Sequence, residues 1–375
     1  MGSRCALSRQ ILALMNLGVV FPSFLASSVD DVQGSVLLSY LRHASVVSPV
    51  AYYTLDPGVT ARIRTHPAVA RVIPAMPLTL VVSTPPLAKV GMTVYGVSED
   101  DLLVLVDLYG MSLKEGRLPR ARSSEVVLSE SVALNRGLHV GDTVGRPAQE
   151  QDDTPALMRG GIPTEAEIVG ILAPGGQWMG FASLEYLESH ELYSPRRACL
   201  IVVPVEGRRA ELDAWLEENV ASTETDVRTY DARLREMRQS TRGTLLMLAA
   251  IESIIALVAA IALAVLNYIF FTQRHEEFGI LHAMGRSRSW IVRRVAGESV
   301  GVVALAWLIG AVVCVVGLLL AQASVYAPKG LSLDFSNPAP WLFTLPIPLA
   351  VVAASAGTIA WTLSKLDPVS IIERR

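Results

Sequence analysis

Residues 272–299, TQRHEEFGILHAMGRSRSWIVRRVAGES, form a polar, arginine-studded segment broken by Gly279 and Gly285, set between two long apolar runs. Residues 245–271 are apolar apart from a few polar positions, chiefly Glu252 and Asn267, and residues 300–321 are an uninterrupted apolar run. Each matches the roughly 20 residues that a helix needs to cross a bilayer. The segment between them therefore reads as a short loop on one side of a membrane, built as a contact surface.

Further out, residues 341–363 make a third apolar run, and residues 11–28 a fourth and shorter one that carries Asn16 and Pro22. Residues 322–340 hold Pro328, Gly330, Pro338 and Pro340 and read as a brief excursion to the far side. The expected fold is thus membrane α-helical, with four transmembrane helices and a large α+β extracytoplasmic domain inserted between the first and second. Its divisions are 1–29 (cytoplasmic stub and first span), 30–242 (the α+β domain, ending in a stalk helix), 243–271 (second span), 272–299 (cytoplasmic loop with a short helix flanked by bends), 300–321 (third span), 322–340 (outer loop), and 341–375 (fourth span and cytoplasmic tail).

Composition agrees with such a mixture. The 51% hydrophobic content and mean hydropathy of +0.41 lie above a soluble protein and below an all-membrane one. The net charge of -3, with no basic run interleaved with aromatics outside the membrane flanks, excludes nucleic acid as a partner. Cys5, Cys199 and Cys314 lie in three different settings and build neither a disulfide framework nor a zinc site. Cys199, inside ACLIVVPV, is expected to pack as a small hydrophobe.

Orientation follows from the arginines. Arg4 and Arg9 precede the first run, Arg274, Arg286, Arg288, Arg293 and Arg294 fill the central loop, and Lys365, Arg374 and Arg375 follow the last run. The positive-inside rule puts both termini and the central loop in the cytoplasm. Ala26-Ser27-Ser28 also fits a signal-peptide cleavage site, but the apolar run before it is at the long end for a signal, so a retained anchor is expected.

Within residues 30–242, VARVIPAM, LTLVVS, GMTVYGV, SEVVLS, AEIVGIL and ACLIVVPV read as strands. DPGVTARIRTH and RAELDAWLEENV read as amphipathic helices, the second with Leu212, Trp215, Leu216 and Val220 on one face. SESVALNRGLHVGDTV reads as a helix stopped at Gly137, followed by a turn at Gly141-Asp142. Residues 231–242 read as a polar helix running straight into the next span, a stalk.

Chemistry-bearing patterns are missing. There is no H-E-x-x-H and no G-x-S-x-G, and His190-Glu191 lacks a second histidine at helical spacing. His43, His66, His139 and His190 are dispersed and read as surface or core residues. Glu150, Asp152 and Asp153 lack the alternate spacing of a calcium loop. The pairs Gly160-Gly161 and Gly175-Gly176 are followed by no G-K-[ST], so no cofactor is expected and any ATP is bound by a partner subunit. In the spans, Ala256, Ala260 and Ala264, and also Ala353 and Gly357, form small-residue stripes suited to helix packing, though alanine is common in membrane helices. Glu252 is expected near the outer edge of an overlong run, where a carboxylate costs little, and Pro346 and Pro348 are expected to kink the last span or to mark a late entry into regular helix.

EFGILHAMGRSRSWI, with the Glu298-Ser299 pair behind it, resembles the signature of FtsX-like permeases, the membrane subunits of MacB-type ABC transporters. Glu277, Phe278, Gly279, Ile280, Leu281, Ala283, Met284 and Gly285 match; His282 replaces an arginine and Arg286 a small residue. LDPVSIIERR resembles the family's closing motif, and EVVLSESVALNRGLHVGDTVG and AEIVGIL are similar to its strand, helix and turn. The resemblance implies a bacterial inner-membrane protein that is not itself an enzyme. It also implies a cytoplasmic ABC ATPase partner, a second permease subunit, and an extracytoplasmic adaptor or substrate protein beside the lipid bilayer. The ATPase-coupling residues it points to are Arg274, Glu276, Glu277, Gly279, Ile280, Ala283, Met284 and Gly285. Two functions follow: export or extraction of an amphiphile (drug, peptide, lipid or lipoprotein), or transmembrane signalling that controls an extracytoplasmic partner such as a cell-wall hydrolase. A membrane-anchored enzyme is disfavoured.

Overall fold

The computed structural model describes residues 34–273 apart from 35, 51–52, 85–87, 146–161, 163, 175–176, 191 and 193, then 284, 287–331, 333 and a few positions up to 357. The first apolar run, nearly all of the last one, the Glu150 to Asp153 cluster, both glycine pairs, Pro346 and Pro348 lie outside the described residues. Those that are described fall into two compact units, one running to Ser240 and taking in Gln322–Leu333, the other containing Thr241–Ala321.

The first unit is α+β. Its strands are β1 (Ser45–Pro49), β2 (Val69–Thr84), β3 (Ala88–Val97), β4 (Ser112–Gly116), β5 (Glu125–Ser129), β6 (Thr143–Val144), β7 (Ala166–Ala173), β8 (Met179–Ser183), β9 (Cys199–Pro204) and β10 (Thr225–Arg228). They run in the order β10-β1-β9-β2-β3-β8-β5-β7-β4, with β6 beside β7. Pairing is antiparallel except β3 with β8 and β5 with β7.

β2 is longer than the sequence reading, which split it at Pro77. Its first part, Val69 to Ala75, pairs with β9, and its second part, Met76 to Thr84, pairs with β3. Pro74 and Pro77 bracket the change of partner, where a ladder is already interrupted and a missing N–H costs least.

β9 shows why ACLIVVPV is apolar throughout. Cys199, Ile201 and Val203 enter one core and Leu200 and Val202 the other, because a strand's side chains alternate between faces and both faces here are covered. One face packs under α1 (Pro57–Thr65) and α5 (Arg209–Asn219), through Ile63, Leu212, Leu216 and Val220. Burying each such aliphatic side chain stabilises by about 1.5–3 kcal/mol. The other face packs against α2 (Glu99–Leu108) through Leu102 and Leu105, with Tyr95, Phe181 and Leu172.

Local signals set the helix ends. Asp56 caps α1, accepting from the Gly58 N–H at 2.9 Å, with Pro57 at the first helical position. Ser98 caps α2, accepting from the Asp101 N–H at 3.3 Å and donating to the Asp101 carboxylate at 2.7 Å. α3 (Glu130–Arg136) ends at Gly137, whose φ of 65° is left-handed, and the Leu138 N–H returns to Ala133 O at 2.9 Å. The turn at Gly141 and Asp142 follows as the sequence indicated, Asp142 accepting from the His139 N–H at 2.7 Å. α4 (Leu184–Ser189) is a short cover over β3.

The second unit holds long helices. α6 (Tyr230–Gln273) is one helix of 44 residues, about 66 Å long at 1.5 Å per residue, so the polar start and the apolar run read from the sequence are helically continuous. α7 (Arg288–Ala321) begins twelve residues before the apolar run, so Arg293 and Arg294 belong to a helix and not to a loop. Among the described residues one helix, Trp307–Lys329, is long and apolar enough to cross a membrane. The segment beyond Ala321, read as a brief, turn-rich excursion, begins with a π-helical turn, Gln322–Tyr326, and a 3-10 turn, Ala327–Lys329.

Candidate functional site

The coupling residues named from the sequence occupy the stretch between α6 and α7. Arg274, Glu276, Glu277, Gly279, Ile280, Ala283 and Gly285 lie outside the described residues. Met284 is described, in a turn and exposed. Just after it Ser287 opens α7: its hydroxyl oxygen accepts from the Trp290 N–H at 3.3 Å, occupying one of the amides that a helix start leaves open. The Arg294 guanidinium lies 5.4 Å from the centre of the Trp290 ring, a cation–π pairing on the first turns of the helix.

On α6, Met247, Ile251, Ile254, Val258, Ile261 and Val265 are all exposed, spaced alternately by four and three residues. That spacing draws one apolar stripe along a helix, and a stripe this long on a soluble surface would be a liability. Ala256, Ala260 and Ala264 lie along the same helix one turn apart. Ala353 and Gly357 are helical, and a Cβ at Gly357 would touch nothing of its own chain within 4 Å.

In the α+β unit the histidines have local roles. His66 stacks on Trp215 at 4.2 Å, and His190 lies 4.1 Å from the Tyr186 ring and hydrogen-bonds Tyr186 O at 3.0 Å. Among the described residues no cluster of His, Cys, Asp and Glu is large enough to hold a metal ion. Cys199 is buried as expected of a small hydrophobe, and burial pushes its thiol up to about 12.

A cleft of about 520 Å³ opens between Leu38, Tyr40, Met92, Arg228, Arg233 and Met237. Its cations are spoken for: Arg228 pairs with Asp226 at 2.7 Å, and Arg233 with Asp226 at 3.1 Å and Glu236 at 2.5 Å. These pairs fix the start of α6 to β10. Thr229, fully buried, joins them by donating to Glu217 at 2.6 Å and accepting from the Ala232 N–H at 3.3 Å.

Sequence reasoning missed one buried polar centre, Asn135 on α3, which bonds Ser83 and Lys329. Its partners lie 52 and 194 residues away, so no local pattern announces it.

Comparison with solved structures finds the periplasmic region of MacB from Actinobacillus actinomycetemcomitans at 13% identity, covering 53% of this chain and 94% of that one, TM-score 0.31. The extracellular domain of the noncanonic ABC-type transporter YknZ from Gram-positive bacteria matches at 9% identity, covering 49% and 98%, TM-score 0.29. A domain of a putative permease from Porphyromonas gingivalis matches at 16% identity, covering 48% and 81%, TM-score 0.27. At such scores these likenesses carry no functional inference. Comparison with curated proteins found no match. Residues 249–368, which take in most of the apolar part of α6, the stretch between α6 and α7 and all of α7, match the family described as FtsX-like permease C-terminal.

Proposed function

We propose that this chain is the permease subunit of an ABC transporter that couples ATP hydrolysis on a separate ATPase to movement of its own α+β domain, exporting or extracting an amphiphile. The carrying observation is the family match over residues 249–368, which encloses the polar stretch between two long helices. In this reading Arg274, Glu276, Glu277, Gly279, Ile280, Ala283, Met284 and Gly285 form the surface that docks on the ATPase in the cytoplasm. Ser287 and the Arg294–Trp290 pair stiffen the first turns of α7 behind it. The exposed stripe on α6 faces lipid or a second permease subunit, with Ala256, Ala260, Ala264, Ala353 and Gly357 at helix contacts. The α+β domain lies outside a bacterial inner membrane, and both termini lie inside.

The test is Gly285→Leu in the permease reconstituted with its ATPase. Loss of ATPase stimulation with the complex still assembled is the expected result. Unchanged stimulation would overturn the docking assignment. An adaptor, or control of a cell-wall hydrolase in place of export, would show itself as a protein retained by the full-length permease in detergent.

A further inference from the structure

The segment after α7 is fastened down. Tyr326, Leu331 and Leu333 are buried, and the Gln322 side chain closes the segment on itself, donating to Leu331 O at 3.1 Å and accepting from the Leu333 N–H at 2.9 Å. Gly330 has a left-handed φ of 67°, and a Cβ there would sit 3.0 Å from Ser131 O on α3. Asn135, 5% exposed, donates to Lys329 O at 3.0 Å and to Ser83 O at 2.8 Å, and accepts from the Ser83 N–H at 2.8 Å. One carboxamide thus joins α3, the end of β2 and this segment. A buried amide with all three bonds made is costly to displace, because each lost partner leaves a desolvated polar group.

All of these contacts lie inside the α+β unit. They fall on the half of the sheet where β5 and β7 carry α3. The start of α6 is fixed on the other half: it follows β10 directly, and Arg233 and Thr229 hold it there. Strand β2 pairs with both halves.

We propose that Gln322–Leu333 is a clasp, closed by Asn135 and Gly330, which ties the chain leaving α7 to α3 and the β2–β3 hairpin. The start of α6 and the chain leaving α7 are then held on opposite halves of one sheet, and relative movement of these two attachment points is resolved across β2. The mechanical consequence rests on the permease reading; the clasp itself does not.

Hydrogen exchange on the full-length chain in detergent separates the two. In both Asn135→Ala and Gly330→Val, the segment Gln322–Leu333 is expected to exchange at least about tenfold faster, the loss of one or more buried hydrogen bonds, while β5 and β7 stay protected. Gly330→Val leaves the Asn135–Ser83 bonds intact, so it reads the clasp even if Asn135→Ala fails to fold. An unchanged segment, or equal acceleration in β5 and β7, overturns the clasp. With the ATPase added, ATP is expected to alter exchange in α3 and in the start of α6, and Gly330→Val to abolish only the α3 response; loss of both or of neither overturns the anchoring scheme. No ATP response in the unsubstituted chain overturns the permease reading and leaves the clasp standing.

Discussion

Gly116 and Gly170 are register partners at the end of the β4–β7 ladder, and neither has room for a side chain. A Cβ at 116, where φ is 78°, would lie 2.1 Å from Val169 O; one at 170 would lie 2.3 Å from Arg117 O. The close approach lets the Arg117 N–H reach Val169 O at 2.8 Å. Gly170→Ala must push that strand away, and we expect it to cost about 2–4 kcal/mol, lowering the thermal midpoint of the full-length chain in detergent by several degrees. Gly116→Ala is expected to cost at least as much, since left-handed backbone strain is added to the clash. A midpoint within a degree of the parent for either variant would contradict this packing.

Such close approaches, and the clasp, mark where sequence reasoning runs out. The helix over Glu130–Arg136 and its turn were legible because Gly137, Gly141 and Asp142 are local conformational requirements. The helix over Arg209–Asn219 was legible because Leu212, Leu216 and Val220 recur at helical spacing. α2 was not found: in EDDLLVLVDL the apolar residues run together, with Leu102 and Leu105 buried but Leu103 exposed, so the stripe is blurred. β4 escaped because all of its residues are exposed and show no alternation, and β10 because it has only 4 residues. Pro77 in β2 read as a break because the strand changes partner there through tertiary pairing. At the candidate site, the coupling residues expected from the family resemblance lie, apart from Met284, outside the described residues, whereas Asn135 needed the folded chain.

Glu125 accepts from Arg117 through both carboxylate oxygens, at 2.6 and 2.5 Å, and from the Arg120 N–H at 2.9 Å. Bonding to Arg117 chiefly, against some opposing desolvation, holds its carboxyl down at about 2. A depressed carboxylate stabilises fully above its unfolded pKa of about 4.5 and loses that contribution as pH falls toward 2. Glu125→Gln is therefore expected to lower the thermal midpoint at pH 7, by the equivalent of about 1 kcal/mol for a partly screened pair. The gap between parent and variant should narrow steadily below pH ~4.5. Parallel midpoint curves down to the lowest pH would refute the pairing.

Cys199 should be chemically silent. It is buried on β9, and a thiol pushed to about 12 holds almost no thiolate at neutral pH. A maleimide added to the native chain is expected to leave Cys199 unmodified, with labelling only after denaturation, as read by peptide mass. Cys199→Ser should destabilise by about 1–3 kcal/mol, because it buries a hydroxyl that cannot be solvated, and Cys199→Ala by less. Rapid native labelling would show that this strand opens.

His43 gives a pH dependence of the opposite residue type but the same direction. It is exposed overall, yet its ring stands edge-on to Tyr109 at 5.3 Å, and that partial burial, followed by the charges of Arg209 and Arg42, holds its pKa below the usual 6.5. Arg209 is fixed nearby, since its guanidinium donates to Leu41 O at 2.5 Å and to Arg42 O. Because the folded pKa is the lower one, the unfolded chain takes up a proton first as pH drops below 6.5, and folding loses stability across that window. His43→Phe keeps the edge-on ring and removes the proton site. Its thermal midpoint should therefore fall less between pH 7 and pH 5 than that of the parent, by on the order of 1–2 °C. A larger fall in the variant would mean that the imidazolium is stabilised in the folded state, against the charges placed around it.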